Sequence, residues 1–98
     1  MTYTTTLTLT LDGTELKIGD EVIIARQPDD PARDALWCAP MLRFVGKKGT
    51  VVELSTSNLD RREQLRIYGD NIVFVYVGDP LSSWWFRLSE LSRPATYH

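Results

Sequence analysis

This chain is poor in the residues that usually do chemistry. It has one cysteine, Cys38, and one histidine, His98, in 98 residues. A single thiol excludes an internal disulfide and any four-cysteine zinc site. One histidine at the last position leaves no imidazole partner for a catalytic or metal-binding set. No stretch approaches the roughly 20 apolar residues of a membrane span. The first 30 residues carry neither a basic segment nor a continuous apolar run, so no secretory leader is expected and the expected setting is cytoplasmic. An excess of charge of either sign is missing too. Eleven Lys and Arg against thirteen Asp and Glu leave a net charge of −2, so no global field favours nucleic acid. Gly-x-Ser-x-Gly, phosphate-loop and dinucleotide motifs are all missing. Most aspartates, including Asp12, Asp20, Asp70 and Asp79, sit beside glycine or proline, where they serve turns. These absences give an expectation of no enzyme, no cofactor and no metal.

What remains is an ordinary globular composition, 43% hydrophobic and 24% charged. A chain of this length makes one domain, 1–98, burying roughly 60–70% of its unfolded surface. The organising stretch is Phe44–Leu54. There Gly46 and Gly49 bracket Lys47 and Lys48, and a β-branched run follows, reading as a turn and then a strand. Upstream, Leu7, Leu9 and Leu11 alternate with threonines, Asp12-Gly13 is a two-residue hairpin signal, and Leu16 and Ile18 return. Residues 1–18 are therefore expected to be an N-terminal hairpin. Its flat, uncharged edge Thr4–Leu11 is a candidate surface for a homodimer. Val22-Ile23-Ile24 reads as a buried strand, and Gln27–Asp34, with two prolines and three aspartates, as a loop. Ala35–Leu42 is apolar but broken at Pro40, consistent with one helical turn plugging the end of a barrel. Cys38 is expected there as a small core residue.

Downstream, Ser55–Glu63 reads as a polar loop and Gln64–Tyr68 as a strand with Leu65 and Ile67 on one face. Ile72–Val77 is apolar on both faces, with Phe74 and Tyr76 on one side and three valines on the other, which marks a central strand or one beneath a binding surface. Trp84 and Trp85 are adjacent in a strand and must point to opposite faces. One fills the core; which one stays open. Ser89-Glu90-Leu91 makes a closing turn and 92–98 a tail. Strands are expected near 5–11, 14–18, 20–26, 48–54, 64–68, 72–77 and 84–88. The expected core is Leu16, Ile18, Val22, Ile24, Val51, Leu65, Ile67, Phe74, Val75 and one of the paired tryptophans. Short strands with frequent turn signals and no helical period indicate an all-β fold.

Ile18-Gly19-Asp20-Glu21-Val22 followed by Gly46-Lys47-Lys48-Gly49-Thr50-Val51 resembles the opening of small SH3-like barrels. Trp37, its spacing to Met41 and Gly46, and Trp84–Phe86 before Leu91 are similar to the Mind bomb/HERC-type barrel. They are more similar still to small uncharacterised phage and bacterial proteins with a Trp-x-x-x-Met…Gly-Lys…Val…Trp pattern. KOW-type barrels share the two glycine motifs but not the tryptophans, and are usually more basic. The resemblance covers 16–91. It implies a strongly bent antiparallel SH3-like barrel that recognises peptides, proteins or, in the KOW case, RNA, and the same barrel hosts many functions.

The function expected on these grounds is a non-catalytic protein-binding module, of the type of a phage accessory or inhibitory protein acting on a cellular partner. The alternative is KOW-like RNA binding through Arg43, Lys47, Lys48, Arg61 and Arg66. The expected site gathers Trp37, Arg43, Lys47, Tyr76, Trp84 and Trp85 where the long loop, the glycine turn and the aromatic strand converge, an aromatic and basic set of the kind that dominates interfaces.

Overall fold

The computed structural model describes residues 9–54, 58–78 and 83–94. Asp12 and Gly13 both take positive φ, 53° and 81°, the conformation that a tight two-residue hairpin demands. They join β1 (Thr10–Leu11) to β2 (Thr14–Glu15), which pair antiparallel with Leu11 opposite Thr14. Leu9, Leu11 and Leu16 point into the core and Thr10 faces solvent, so the alternation read from the leucines is present where it is described. Most of the expected dimer edge Thr4–Leu11 lies outside the described residues.

A second antiparallel sheet carries the rest. It is built from β3 (Glu21–Ile24), β4 (Lys48–Leu54), β5 (Ile72–Tyr76), β6 (Ser83–Arg87) and β7 (Leu91–Ser92), in the order β6-β5-β4-β3-β7. The protein is thus mostly β. Among the described residues β6 and β7 are the two edges and do not pair with each other, so the sheet is open rather than a closed barrel. One face is the core. Val22 and Ile24 of β3, Val51 of β4, Val73 and Val75 of β5 and Phe86 of β6 are completely buried there. The valine side of β5 faces inward, as its alternation indicates. A bulge at Val52 shifts the register, so that Val51 faces Val75 but Glu53 faces Phe74. A bulge of this kind bends its strand.

The glycines of the organising stretch do two different jobs. Gly46, at φ 87°, turns the chain, and its N–H donates to the carbonyl of Ile24 at 2.7 Å. Gly49 belongs to β4 itself. A Cβ at Gly49 would collide with the Val75 side chain and sit 2.8 Å from the Tyr76 carbonyl oxygen. Only hydrogen lets β4 and β5 approach here.

Three expectations are corrected. Residues 64–68 are not a strand: Asn58–Tyr68 is an α-helix, α1. Leu, Arg, Glu and Gln favour helix, Asp60 and Arg66 suit its two ends, and Gly69 at φ 77° caps it, donating to the Leu65 carbonyl at 3.0 Å. Leu65 and Ile67 are consequently 50% and 47% exposed rather than core. The residues of α1 that face the body are Arg61, Gln64 and Tyr68, spaced at i, i+3 and i+7. Gln64 Oε1 accepts the Ile72 N–H at 3.0 Å and Arg61 donates to Asn71. A polar docking face hides a helix from any search for apolar periodicity. Ile18 is 66% exposed because the return strand stops at Glu15 and Ile18 sits at the tip of the next turn, where Asp20 Oδ2 accepts the Lys17 N–H at 2.9 Å. Phe74 is not a core residue, since it lies on the sheet face opposite Val73 and Val75.

The expected tail 92–98 starts later than Ser92, which pairs with Ile23 in β7. Arg93 then clamps the hairpin. Its N–H donates to Asp12 Oδ2 (2.8 Å), and its guanidinium donates to the carbonyls of Leu11 (3.2 Å), Thr14 (3.0 Å) and Glu15 (2.8 Å) and pairs with Asp20 (3.1 Å). The Lys17 N–H, followed by Arg93, holds the Asp20 carboxyl below its usual range.

Gly49→Ala is expected to destabilise the protein by about 1–3 kcal/mol, because the Tyr76 carbonyl belongs to a central strand and cannot retreat. Urea unfolding monitored by tryptophan fluorescence measures it.

Candidate functional site

Ala35–Leu42 does plug the core. It leads into a 3₁₀ helix, Ala39–Phe44, whose Met41 and Phe44 are buried. Trp37, just before it, is only 4% exposed and meets Phe86 edge-on, with centroids 5.5 Å apart at 80°. Cys38, by contrast, is exposed, correcting its expected place in the core: its neighbours on both sides of the turn take the inward positions. Its N–H is directed at Met41 Sδ, at 3.4 Å.

Trp37 is aimed by a chain of polar contacts. Asp34 Oδ1 accepts the N–H groups of Leu36 and Trp37, at 2.9 and 3.0 Å. Asp34 Oδ2 pairs with the Arg87 guanidinium at 2.9 Å, and Arg87 pairs with Glu90 at 3.1 Å. Arg87 Nε also donates to the Tyr68 carbonyl at the end of α1 (2.7 Å), while the Arg87 N–H donates to Glu90 Oε1 (2.7 Å). The backbone carbonyl of Glu90 accepts the N–H groups of Ala25 and Arg26. One guanidinium thus ties together the long loop, the end of α1, the last residue of β6 and the Leu88–Glu90 turn. Burial alone would raise the Asp34 carboxyl; the hydrogen bonds from Arg87, Leu36 and Trp37 outweigh it and hold Asp34 below its usual value. The two carboxylates in turn keep Arg87 charged, against the desolvation that opposes it.

The tryptophans of β6 part as their adjacency requires. Trp84 stands opposite Val75 on the core face and approaches Phe44, with ring centroids 6.3 Å apart. Trp85 stands opposite Phe74 on the outer face, with centroids at 4.8 Å and planes at 35°. Register places Tyr76 on that same outer face, between Thr50 and Ser83. The six expected site residues therefore divide. Trp37 and Trp84 serve the core side, with exposed Arg43 lying over the Phe44 ring at 5.0 Å. Tyr76 and Trp85 occupy the opposite face, and Lys47 is exposed beside the Gly46 turn. A single convergent cluster of all six is not formed.

The outer face holds two cross-strand rows. Glu21, Thr50, Tyr76 and Ser83 form one, and Glu53, Phe74 and Trp85 the other. Glu21, Lys48, Gly49, Thr50, Tyr76 and Gly78 line a shallow depression beside them. Glu53 is exposed, and no ion pair engages it among the described residues. Basic residues do not gather into one stripe. Lys47 and Lys48 stand at the start of β4, while Arg61 and Arg66 belong to the helix that follows its far end, roughly 20 Å along the strand. Arg66 pairs with Glu63 at 2.7 Å. Among the described residues no group of His, Cys, Asp and Glu could hold a metal ion, and no helix is long and apolar enough to cross a membrane.

Sequence reading missed Asp34, Arg87, Glu90, Phe44 and the Phe74–Trp85 pair. Arg87 and Glu90 are spaced at i, i+3, a local signal that could have been noticed, whereas Asp34 reaches Arg87 across 53 residues and leaves no local trace. No family model, curated protein or solved structure matches the chain.

Trp37→Ala is expected to cost about 3–5 kcal/mol and Trp85→Ala about 1 kcal/mol, read from parallel urea melts. Equal losses would put both rings in the core. A second expectation concerns pH. A carboxyl whose folded value is depressed contributes stability above its unfolded value of about 3.9, and loses that contribution as pH falls through the folded value. Stability should accordingly drop with acid below about pH 4. Asp34→Asn should lower stability at pH 7 and flatten that acid slope, as measured by urea melts from neutral pH down to about pH 2.

Proposed function

We propose that this chain is a non-catalytic protein-binding module, built as a strongly bent SH3-like barrel left open between β6 and β7, that grips a basic side chain of its partner on the outer face of the sheet. The barrel reading is supported by five antiparallel strands bent at the Val52 bulge. It is supported further by the Gly-Asp-x-Val strand pairing directly with the Gly-x-x-Gly-x-Val strand, with a long loop between them that plugs the core. The Trp37, Met41, Gly46 and Trp84 pattern carries the further reading of an accessory or inhibitory chain of phage type acting on a cellular protein.

The observation that carries the binding role is the row Glu53, Phe74, Trp85. The core on the other face is complete without these rings, yet they are stacked and held in register by two strand pairings. An aromatic pair beside an uncommitted carboxylate suits an Arg or Lys, which gains attraction from the ring faces and from the charge together. Tyr76, Thr50 and Lys48 supply hydroxyl and ammonium groups alongside for the partner's backbone. Rigid aromatics of this kind are typical binding anchors. The scatter of the basic residues argues against a phosphate-tracking surface.

The test immobilises the chain and compares wild type, Trp85→Ala and Glu53→Gln in capture from cell lysate, at about 0.15 M and about 0.5 M salt. The expected result is a protein retained by wild type at both salts and reduced at least about tenfold, some 1.4 kcal/mol, by either substitution. Capture of RNA that falls steeply with salt, or protein capture indifferent to both substitutions, would overturn the reading.

A further inference from the structure

We infer that the edge strand β6 pairs antiparallel with β6 of a second copy of this chain, about a two-fold axis at Trp85. This inference stands on the backbone and is independent of what the outer face binds.

The last pair of the β5–β6 ladder sets which backbone groups of β6 point outward. Ile72 and Arg87 face each other, yet the Ile72 N–H donates to Gln64 Oε1 and the Arg87 N–H donates to Glu90 Oε1. That pair therefore exchanges no ladder bonds. Antiparallel pairs alternate, and the β5–β6 register is regular, so Val73–Phe86 and Val75–Trp84 carry the ladder bonds. Phe74–Trp85 and Tyr76–Ser83 do not. The N–H and C=O of Ser83 and Trp85 consequently point off the open edge, and no described residue bonds them. Unpaired backbone groups of this kind are sealed from water only at a cost, so with no partner among the described residues they are open to pairing.

Natural edges are protected by shortness, charge, proline or a bulge. The other edge, β7, is two residues long and runs into the Arg93 clamp. β6 has five residues, Ser-Trp-Trp-Phe-Arg, with no bulge and no proline. Its one charge, Arg87, is turned back onto Asp34 and Glu90. Nothing in the strand repels a neighbour.

A second copy is the occupant this edge fits. Trp85 presents a donor and an acceptor in the same direction, so a two-fold axis through it makes two reciprocal N–H···O=C bonds between identical residues, the arrangement of an isologous interface. Residues opposed across a ladder share a face, so the two Trp85 indoles meet on the outer side and join both Phe74–Trp85 stacks into one aromatic strip. At Arg87 the N–H is already committed to Glu90, so the pairing consists of the reciprocal Trp85 bonds flanked on each side by one bond from the Ser83 N–H to the Arg87 carbonyl of the second copy. A short pairing makes a dimer that forms with concentration rather than a permanent one.

Sedimentation equilibrium over about 1–500 µM, with amide exchange at both ends of that range, tests it. Wild type should rise from the 11.2 kDa chain mass toward twice that value, and the Trp85 amide should exchange at least about tenfold more slowly at the upper end. Ser83→Pro removes an outward N–H at the first strand position, where proline is tolerated. Trp85→Lys adds the charge that the edge lacks. Both should stay at the monomer mass with wild-type circular dichroism. Wild type that remains monomeric throughout overturns the inference. So does a dimer that persists in Trp85→Lys, which would point to another surface such as Thr4–Leu11. A Trp85 amide already protected at the lowest concentration overturns it too, by showing the edge covered within one chain. The exchange measurement uses wild type alone, so it decides even where Ser83→Pro fails to fold.

Discussion

The Arg87 guanidinium is the joint at which the segments flanking the central strands meet. It stands at the end of β6 and satisfies Asp34 from the long loop, Glu90 from the turn before β7 and the Tyr68 carbonyl that closes α1. Trp37 and Leu91 give the long loop and β7 apolar anchors, but the stretches around them are held by polar contacts. The long loop is rich in Asp and Pro, α1 meets the body through a polar stripe, and β7 is two residues long. Taking an arginine and two carboxylates largely out of water is expensive, and such a group need not add net stability. What it fixes is position. Removing one member leaves the others charged and poorly solvated, so the three segments are locked to one another or not at all.

The position so fixed passes inward. Asp34, oriented by Arg87, accepts the Trp37 N–H and directs the indole against Phe86. Phe86 lies beside Arg87 in the same strand, so ion cluster and aromatic plug brace the two sides of one short segment. The sheet then separates two tasks. Its inner face is a complete core of Val, Ile, Trp37, Met41 and Phe44, whereas its outer face keeps Phe74, Tyr76 and Trp85, which that core does not use. A chain of 98 residues has little apolar material to spare. Three aromatics placed against the core's needs are therefore the main support for the binding role proposed above.

How much of this was legible depended on whether the cause was local. Lys48–Leu54, the Asp12-Gly13 turn, the division of β5 into a valine side and an aromatic side, and the opposition of Trp84 to Trp85 all follow from alternation or turn chemistry within a few residues; which side of β5 faces the core does not. Helix α1 reads as a strand because its half-buried stripe is Arg61, Gln64 and Tyr68, which leaves Leu65 and Ile67 as an apolar pair with the period of a strand. Ile18 was misplaced by one turn. Trp37 was rightly placed in a plug but wrongly offered as a surface anchor, because the contact that turns it inward comes from Asp34, itself set by an arginine 53 residues away. Long-range ion pairs of this sort leave no periodicity behind.

Amide hydrogen exchange on Arg87→Met, a replacement that keeps the unbranched apolar stem and removes the charge, shows whether one guanidinium holds these segments together. Leu36 and Trp37 in the long loop, Ala25 and Arg26 facing the Glu90 carbonyl, and Gly69 at the end of α1 should all lose protection together, by comparable factors. The Val22, Val51 and Val75 amides of the central strands should keep theirs. Loss confined to the immediate neighbours of residue 87, with the long loop and the end of α1 unchanged, would contradict it.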